Sequence, residues 1–187
     1  EMFSKKYLKD YKTNYDFDEN GKEQRTIVYT GKYYGFGADK RTFTSARTLF
    51  TICAALMCAL FVFPFVCYTD IMRGYFVVFP HLFCFWPIGY LCVAVVYLYT
   101  TKAPFVRERR DKTEHRIGKT LICNMLFSGV CLLASAAHCI TNGFAADDLC
   151  ALIPSAALLG ISACLFSKKS AFKTVEVDTD VDEKEYV

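Results

Sequence analysis

The chain has 187 residues, 53% of them hydrophobic, with 22 basic and 19 acidic residues for a formal net charge of +3. Apolar and charged residues are almost completely segregated: four apolar stretches, 49–68, 75–99, 121–140 and 149–166, are each long enough to cross a hydrocarbon core of about 30 Å at about 1.5 Å per residue. This excludes an ordinary soluble globular domain, a secreted disulfide scaffold and a nucleic-acid module, and predicts an all-α polytopic membrane protein with four transmembrane helices (47–168) and a small N-terminal β-meander.

Segment 1–46 is polar and lacks an apolar signal region, so the first span is expected to serve as its own insertion signal. The run DFDENGKE places Asp16, Asp18, Asn20 and Gly21 as a calcium loop would, but the twelfth position is Ile27 where a bidentate Glu is needed. Asn20-Gly21 instead suits a tight hairpin turn, and RTIVYT after it is rich in β-branched and aromatic residues. With a second turn at Thr30-Gly31 before KYYGF, the pattern predicts a meander over about residues 13–36.

The second span carries nine aromatic residues and two prolines, Pro80 and Pro87, which predict a bent helix. The following loop, 100–120, holds seven basic residues; Arg107, Arg109, Arg110, Lys112 and Arg116 form a surface for anionic lipid or for a partner. In the third span Asn124 reads as an interhelical hydrogen-bonding residue, and Cys131, Ser135 and Cys139 recur every four residues. Ala156, Gly160 and Cys164 do the same in the fourth, so these two spans are expected to form a close antiparallel hairpin through Ser135, Ala156 and Gly160. An offset of 72 residues aligns a few residues of the two halves, too few for so biased a composition to imply a repeat.

Basic residues set the orientation: segments 1–48, 100–120 and 167–187 together hold 21 and the two remaining loops one, Arg73. Positive-inside retention therefore places both termini in the cytoplasm. The tail 169–187 is acidic, yet Val175, Val177, Thr179 and Val181 alternate with Glu176, Asp178, Asp180 and Asp182, which predicts a strand that docks on the meander as the rival of a solvated tail.

His81 and His138 are the titratable residues of the spans other than Cys and Tyr, and with Cys139 and Cys150 they form a candidate polar cluster toward the outer face. No HExxH or close His pair supports a metal, and no CxxC occurs among the ten cysteines, which read as small apolar packing residues. If a disulfide forms, Cys139 to Cys150 is the candidate, since it would close the short outer loop. No nucleotide, hydrolase or zincin motif is present, and neither a catalytic residue nor a cofactor is assigned.

The expected function is a non-enzymatic accessory or scaffold subunit of a membrane complex. A small transporter or channel acting as an oligomer is the second expectation, and a thiol- or metal-dependent membrane oxidoreductase the third. Expected partners are the lipid bilayer and another membrane or cytosolic protein, or a second copy, without nucleic acid. Small size and short loops suggest the cell membrane of a bacterium.

Overall fold

The computed structural model describes residues 7–17, 23–67 and 70–177. The Asn20-Gly21 turn, Tyr68 at the end of the first span and the tail beyond Val177 lie outside the described residues. A short 3-10 turn, Leu8–Asp10, leads into strands β1 (Tyr11–Phe17) and β2 (Glu23–Tyr29), followed by β3 (Tyr33–Phe36) and helix α1 (Lys40–Cys67). Helices α2 (Tyr75–Phe83) and α3 (Phe85–Thr100) come next, then α4 (Arg107–Arg110), which runs through a π-helical stretch, Asp111–His115, into α5 (Arg116–Asn142). Helix α6 (Leu149–Lys168) and strand β4 (Thr174–Val177) complete the described chain. Four helical units, Lys40–Cys67, Tyr75–Thr100, Arg107–Asn142 and Ala146–Phe172, are long and apolar enough to span a membrane.

Three helix boundaries have a local cause. The Asp39 carboxylate accepts the Arg41 backbone N–H at 3.3 Å, satisfying a donor that the first turn of α1 would otherwise leave free. The bend predicted for the second span is a break at Cys84 between α2 and α3. Pro87 has no N–H to offer the carbonyl four residues earlier, so the ladder cannot run unbroken through this point. At the break the Cys84 N–H donates to the His81 carbonyl at 3.0 Å, and the Cys84 thiol donates to the Pro80 carbonyl at 3.5 Å. Helix α5 ends at Gly143, whose φ of +84° is costly for a residue with a Cβ.

The four units close into a ring. α5 packs on α6, α2 and α3, while α1 packs on α6 and α3. Their shared core contains Phe50, Met57, Leu91, Leu121, Leu158 and Leu165, all but buried from solvent. Outward-facing positions remain apolar; Val66, Phe76, Leu133 and Ile140 are each at least 72% exposed, and only 22% of the most apolar window of α1 is buried within the chain. An apolar surface of that extent requires a nonaqueous cover.

The strands depart from the expected meander. β1 and β2 pair antiparallel from Tyr11↔Tyr29 to Phe17↔Glu23, but β3 belongs to a second sheet with β4, in register from Tyr33↔Val177 to Phe36↔Thr174. The Tyr29 hydroxyl donates to the Lys32 carbonyl at 3.0 Å, and its ring lies over Gly31, where a Cβ would come within 2.5 Å of the Tyr29 oxygen. The chain thus folds across the Tyr29 ring rather than reversing into a second hairpin, and β3 is left to find a distant partner. The predicted pairing of the tail with the N-terminal strands is therefore observed for residues 174–177, against β3 alone. Gly35 and Gly37 make room for it: a Cβ on either would stand 3.0 Å from Val177 or Val175.

An aromatic cluster joins this small sheet to the bundle. Phe36 packs on Phe43 and Phe105 with ring centroids 4.4 and 4.9 Å apart, and Phe172 meets Phe43 and Phe50 edge-on at 5.7 and 4.8 Å. The backbones of Tyr34 and Phe105 exchange two hydrogen bonds, at 2.8 and 2.9 Å, bringing the segment before α4 onto β3. The resulting cap covers the end of the bundle at which α1 begins and α6 ends.

Candidate functional site: a buried polar row and a basic, strand-bearing end

The α5–α6 contact is written in a seven-residue period. On α5, Ile117, Leu121, Asn124, Ser128, Cys131 and Ser135 are buried, and on α6 Ala151, Ser155, Leu158, Ser162 and Leu165 are. Alternating steps of four and three residues keep these side chains on one seam of a left-handed antiparallel pair. A strict four-residue step drifts off that seam, which is why the three residues of the expected α6 series are displaced. Ser135 lies in the interface, whereas Ala156, Gly160 and Cys164 are exposed on the far side of α6, and a Cβ on Gly160 would meet nothing within 4 Å.

Polar groups occupy much of this seam. The Asn124 side-chain amide donates to Ser162 Oγ at 2.6 Å, and Ser162 Oγ in turn donates to the Leu158 carbonyl at 2.7 Å. Ser128 donates to the Asn124 carbonyl at 2.6 Å. Farther along, Cys131 Sγ lies 3.2 Å from Ser155 Oγ and 3.8 Å from His81 Nδ1. Asn124 Oδ1 and Ser135 Oγ are buried without a hydrogen-bond partner among the described residues. In a hydrocarbon setting such groups fasten helices to one another, at about 0.6 to 2 kcal/mol per hydrogen bond.

His81 is 1% exposed and bridges three helices. Its Nε2 lies 2.8 Å from the Phe61 carbonyl of α1, its ring stacks on Phe61 at 5.1 Å, and Phe65 approaches edge-on at 5.3 Å. Both ring nitrogens thus face protein atoms. His138 occupies a different place: it lines a groove between α2 and α5 with Tyr75 and Phe79, and its Nδ1 is buried without a partner among the described residues. Cys139 donates to Asp148 Oδ2 at 3.5 Å, and the same oxygen accepts the Ala145 backbone N–H at 3.0 Å, fixing the turn into α6. Cys150 has Cys67 of α1 as its thiol neighbour. The structure therefore disperses His81, His138, Cys139 and Cys150 among separate environments. Cys139 and Cys150 are free thiols, as are the other eight cysteines, and Cys58 and Cys92 approach to 3.7 Å without bonding. Among the described residues, no three of His, Cys, Asp and Glu form a group that could hold a metal.

At the opposite end, the basic segment is laced into the cap. Arg107 approaches Asp10 at 3.8 Å, Arg110 approaches Glu114 at 3.7 Å, and Lys112 pairs with Glu108. Arg109 and Arg116 lie over the Tyr97 ring at 5.4 and 5.6 Å. Glu114 also accepts both the backbone N–H and the hydroxyl of Thr174, at 3.1 and 2.6 Å, which anchors β4 to the π-helical stretch. The β1–β2 hairpin is held by Tyr29, whose hydroxyl accepts the Arg107 N–H at 3.2 Å, and by Tyr7, which donates to Asp111 at 2.9 Å just before β1. Burial raises the pKa of both Tyr29 and Tyr11; for Tyr29 the Arg107 N–H opposes that rise. Arg107, Arg109, Arg110, Lys112 and Arg116 thus fall on one end of the molecule, and several are engaged internally.

Two parts of this site escaped the sequence reading: Ser155 and Ser162, and the junction of Glu114 with Thr174. The seven-residue spacing of the two serines, matched by Asn124 and Cys131, is a readable signal; the Glu114 contact joins residues 60 positions apart and has none.

No family model matches this chain, and neither a curated protein nor a solved structure shows significant similarity to it.

Proposed function

We propose that this chain is a non-enzymatic scaffold subunit of a cell-membrane complex, with both termini in the cytoplasm and the capped end facing that compartment. The observation that carries the reading is the β1–β2 hairpin. Two strands of seven residues, paired only with each other among the described residues, are held out on the cap by Tyr7, Asp10 and Tyr29, and expose Tyr15 (58%) and Ile27 (46%). An isolated two-stranded hairpin is marginal in water, and each outer edge offers unpaired N–H and C=O groups to an added strand. A cap that ties the distant strands β3 and β4 to the helix ends supplies the rigid mount such a surface needs. The distribution of basic residues supports the orientation.

The test is photocrosslinking in intact cells from a reactive side chain at Tyr15 or Ile27, with a probe at the distal Phe144 as control. Crosslinks to one protein from the hairpin positions, retained through purification in mild detergent, are the expected result. An absence of crosslinks from the hairpin, with the protein monomeric in detergent, would overturn the reading.

A transporter acting as an oligomer is the second reading, favoured by the buried row from Asn124 through Cys131 to His81. It predicts solute flux in reconstituted vesicles that falls when His81 is replaced by Gln. The scaffold reading predicts none.

A further inference from the structure

Between α3 and α5 a groove of about 480 Å³ opens on the surface of the bundle. Its apolar part is lined by Trp86, Pro87, Tyr90 and Phe127, and its polar end by Arg116, Lys119, His115 and Asp111. The apolar part is open to whatever surrounds the helices: Trp86 is 62% exposed and Tyr90 47%. Trp86 lies 14 residues before Thr100 at the end of α3, or about 21 Å along a helix, which puts it near mid-depth of a spanning unit. Arg116 and Lys119 stand three residues apart on one face of α5, at the border between the charged segment and the apolar stretch.

The cations at this border differ from most of their neighbours. Arg107, Arg110 and Lys112 each have a carboxylate within 4 Å, whereas among the described residues Arg116 and Lys119 have none; Arg109 also has none, but it lies over the Tyr97 ring and does not line the groove. Arg116 is instead flanked by the rings of Tyr90 and Tyr97, each at 5.6 Å, which hold the guanidinium at the groove wall without neutralising it. The one acid at the rim, Asp111, is engaged by the Tyr7 hydroxyl at 2.9 Å and faces His115 at 3.7 Å. The π-helical stretch Asp111–His115 ends immediately before Arg116, and its wider turn resets which side chains enter the groove.

We infer that this groove binds one anionic phospholipid, its phosphoryl headgroup between Arg116 and Lys119 and an acyl chain along Trp86, Pro87 and Phe127. Charge complementarity selects the occupant: two unneutralised cations at an interface, continuous with an apolar channel reaching mid-depth, match a lipid with an anionic head and an apolar chain. An acidic protein segment would leave the channel below the cations unfilled. The inference rests on the helices spanning a bilayer but is independent of their orientation.

Trp86 is the sole tryptophan of the chain and lines the site, so it serves as the reporter. The full chain is reconstituted in phosphatidylcholine vesicles containing a rising fraction of either phosphatidylglycerol or phosphatidylcholine brominated at mid-chain, and quenching of Trp86 is measured. Two cations at about 1 kcal/mol each correspond to a preference of about 30-fold for phosphatidylglycerol. The double variant R116Q/K119Q should reduce that preference to within about twofold of unity, Arg116→Lys should retain it, and K168Q/K169Q, which removes cations of the α6 end, should leave it unchanged. Equal quenching by the two lipids would overturn the inference, as would an equal loss in K168Q/K169Q or quenching by neither lipid, the last being the result expected if a protein segment fills the groove. Flotation of the chain with the vesicles separates this failure from that of the membrane reading: a chain that does not float refutes both, and a floating chain without selectivity refutes only the lipid site.

Discussion

The Asn124–Ser162 contact permits a prediction whose magnitude depends on which partner is removed. Ser162 Oγ accepts the Asn124 amide at 2.6 Å while donating to the Leu158 carbonyl at 2.7 Å, and Asn124 Oδ1 has no partner among the described residues. Replacing Ser162 by Ala leaves the whole buried amide unpaired, at a cost of about 1 to 3 kcal/mol. Replacing Asn124 by the similarly sized Leu removes the amide and leaves the Ser162 hydroxyl bonded to Leu158, which should cost less than about 1 kcal/mol. The double variant should then resemble N124L, so the coupling between the two positions equals the S162A cost, about 1 to 3 kcal/mol. Reversible unfolding in mixed micelles titrated with a denaturing detergent measures all three. Additive single effects, or an N124L variant less stable than S162A by more than about 1 kcal/mol, would refute the reasoning.

Phe172→Ala removes a side chain that is 1% exposed and meets two aromatic rings, so a loss of about 3 to 5 kcal/mol is expected, concentrated in the cap. Hydrogen exchange should show protection lost at Tyr33–Phe36 and Thr174–Val177 and retained in α5; an unprotected α5 would mean that the cap is not a separate layer. Burial raises the pKa of Tyr11 and Tyr29 above 10.0, so the neutral phenols favour the docked hairpin. Their contribution is full below the unfolded value of about 10 and lost as pH rises through the folded value, so tyrosinate absorbance and faster exchange in β2 should appear together above about pH 10. Reporter fusions at either terminus should be cytoplasmic and one after Asn142 external; an external terminus would contradict the basic-residue argument. Replacing His81 and His138 by Gln together should cost the sum of the two single effects, as measured by detergent-denaturation midpoint, because the two rings lie in separate environments; a non-additive double variant would place them in one cluster.

The spans were legible because the hydrocarbon layer imposes a length and the chain meets it four times without a charge, although α1 begins nine residues before its apolar stretch and α5 is preceded by two further helical turns. The break at Cys84 was legible from Pro80 and Pro87, since a missing N–H acts locally. The β3–β4 pair was half legible: alternation in the tail marked a strand, but its partner depends on the Tyr29 ring turning the chain aside. The α5–α6 seam was misread for a different reason. Small residues at four-residue steps exist on both faces of α6, and only the period of three and a half, carried by Ser155, Leu158 and Ser162, identifies the face that is covered. The scattering of His81, His138, Cys139 and Cys150 was not legible at all, because residues at one depth of a bundle can point in any direction around it.

The pairing of Tyr33–Phe36 with Thr174–Val177 also sets a sequence of events during synthesis. β1 and β2 are separated by five residues and can close as soon as both have emerged, whereas β3, beyond its single bridge to Phe105, has no strand to receive it until the chain has been made past residue 177 and the intervening helices are in place. Throughout that interval the β4-facing edge of β3 stays unsatisfied and Phe43 lacks its Phe172 contact, the kind of surface that chaperones and proteases engage. Closure of the cap therefore waits on β4, and a chain truncated before β4 would remain in the unclosed form and be removed faster than one that carries it.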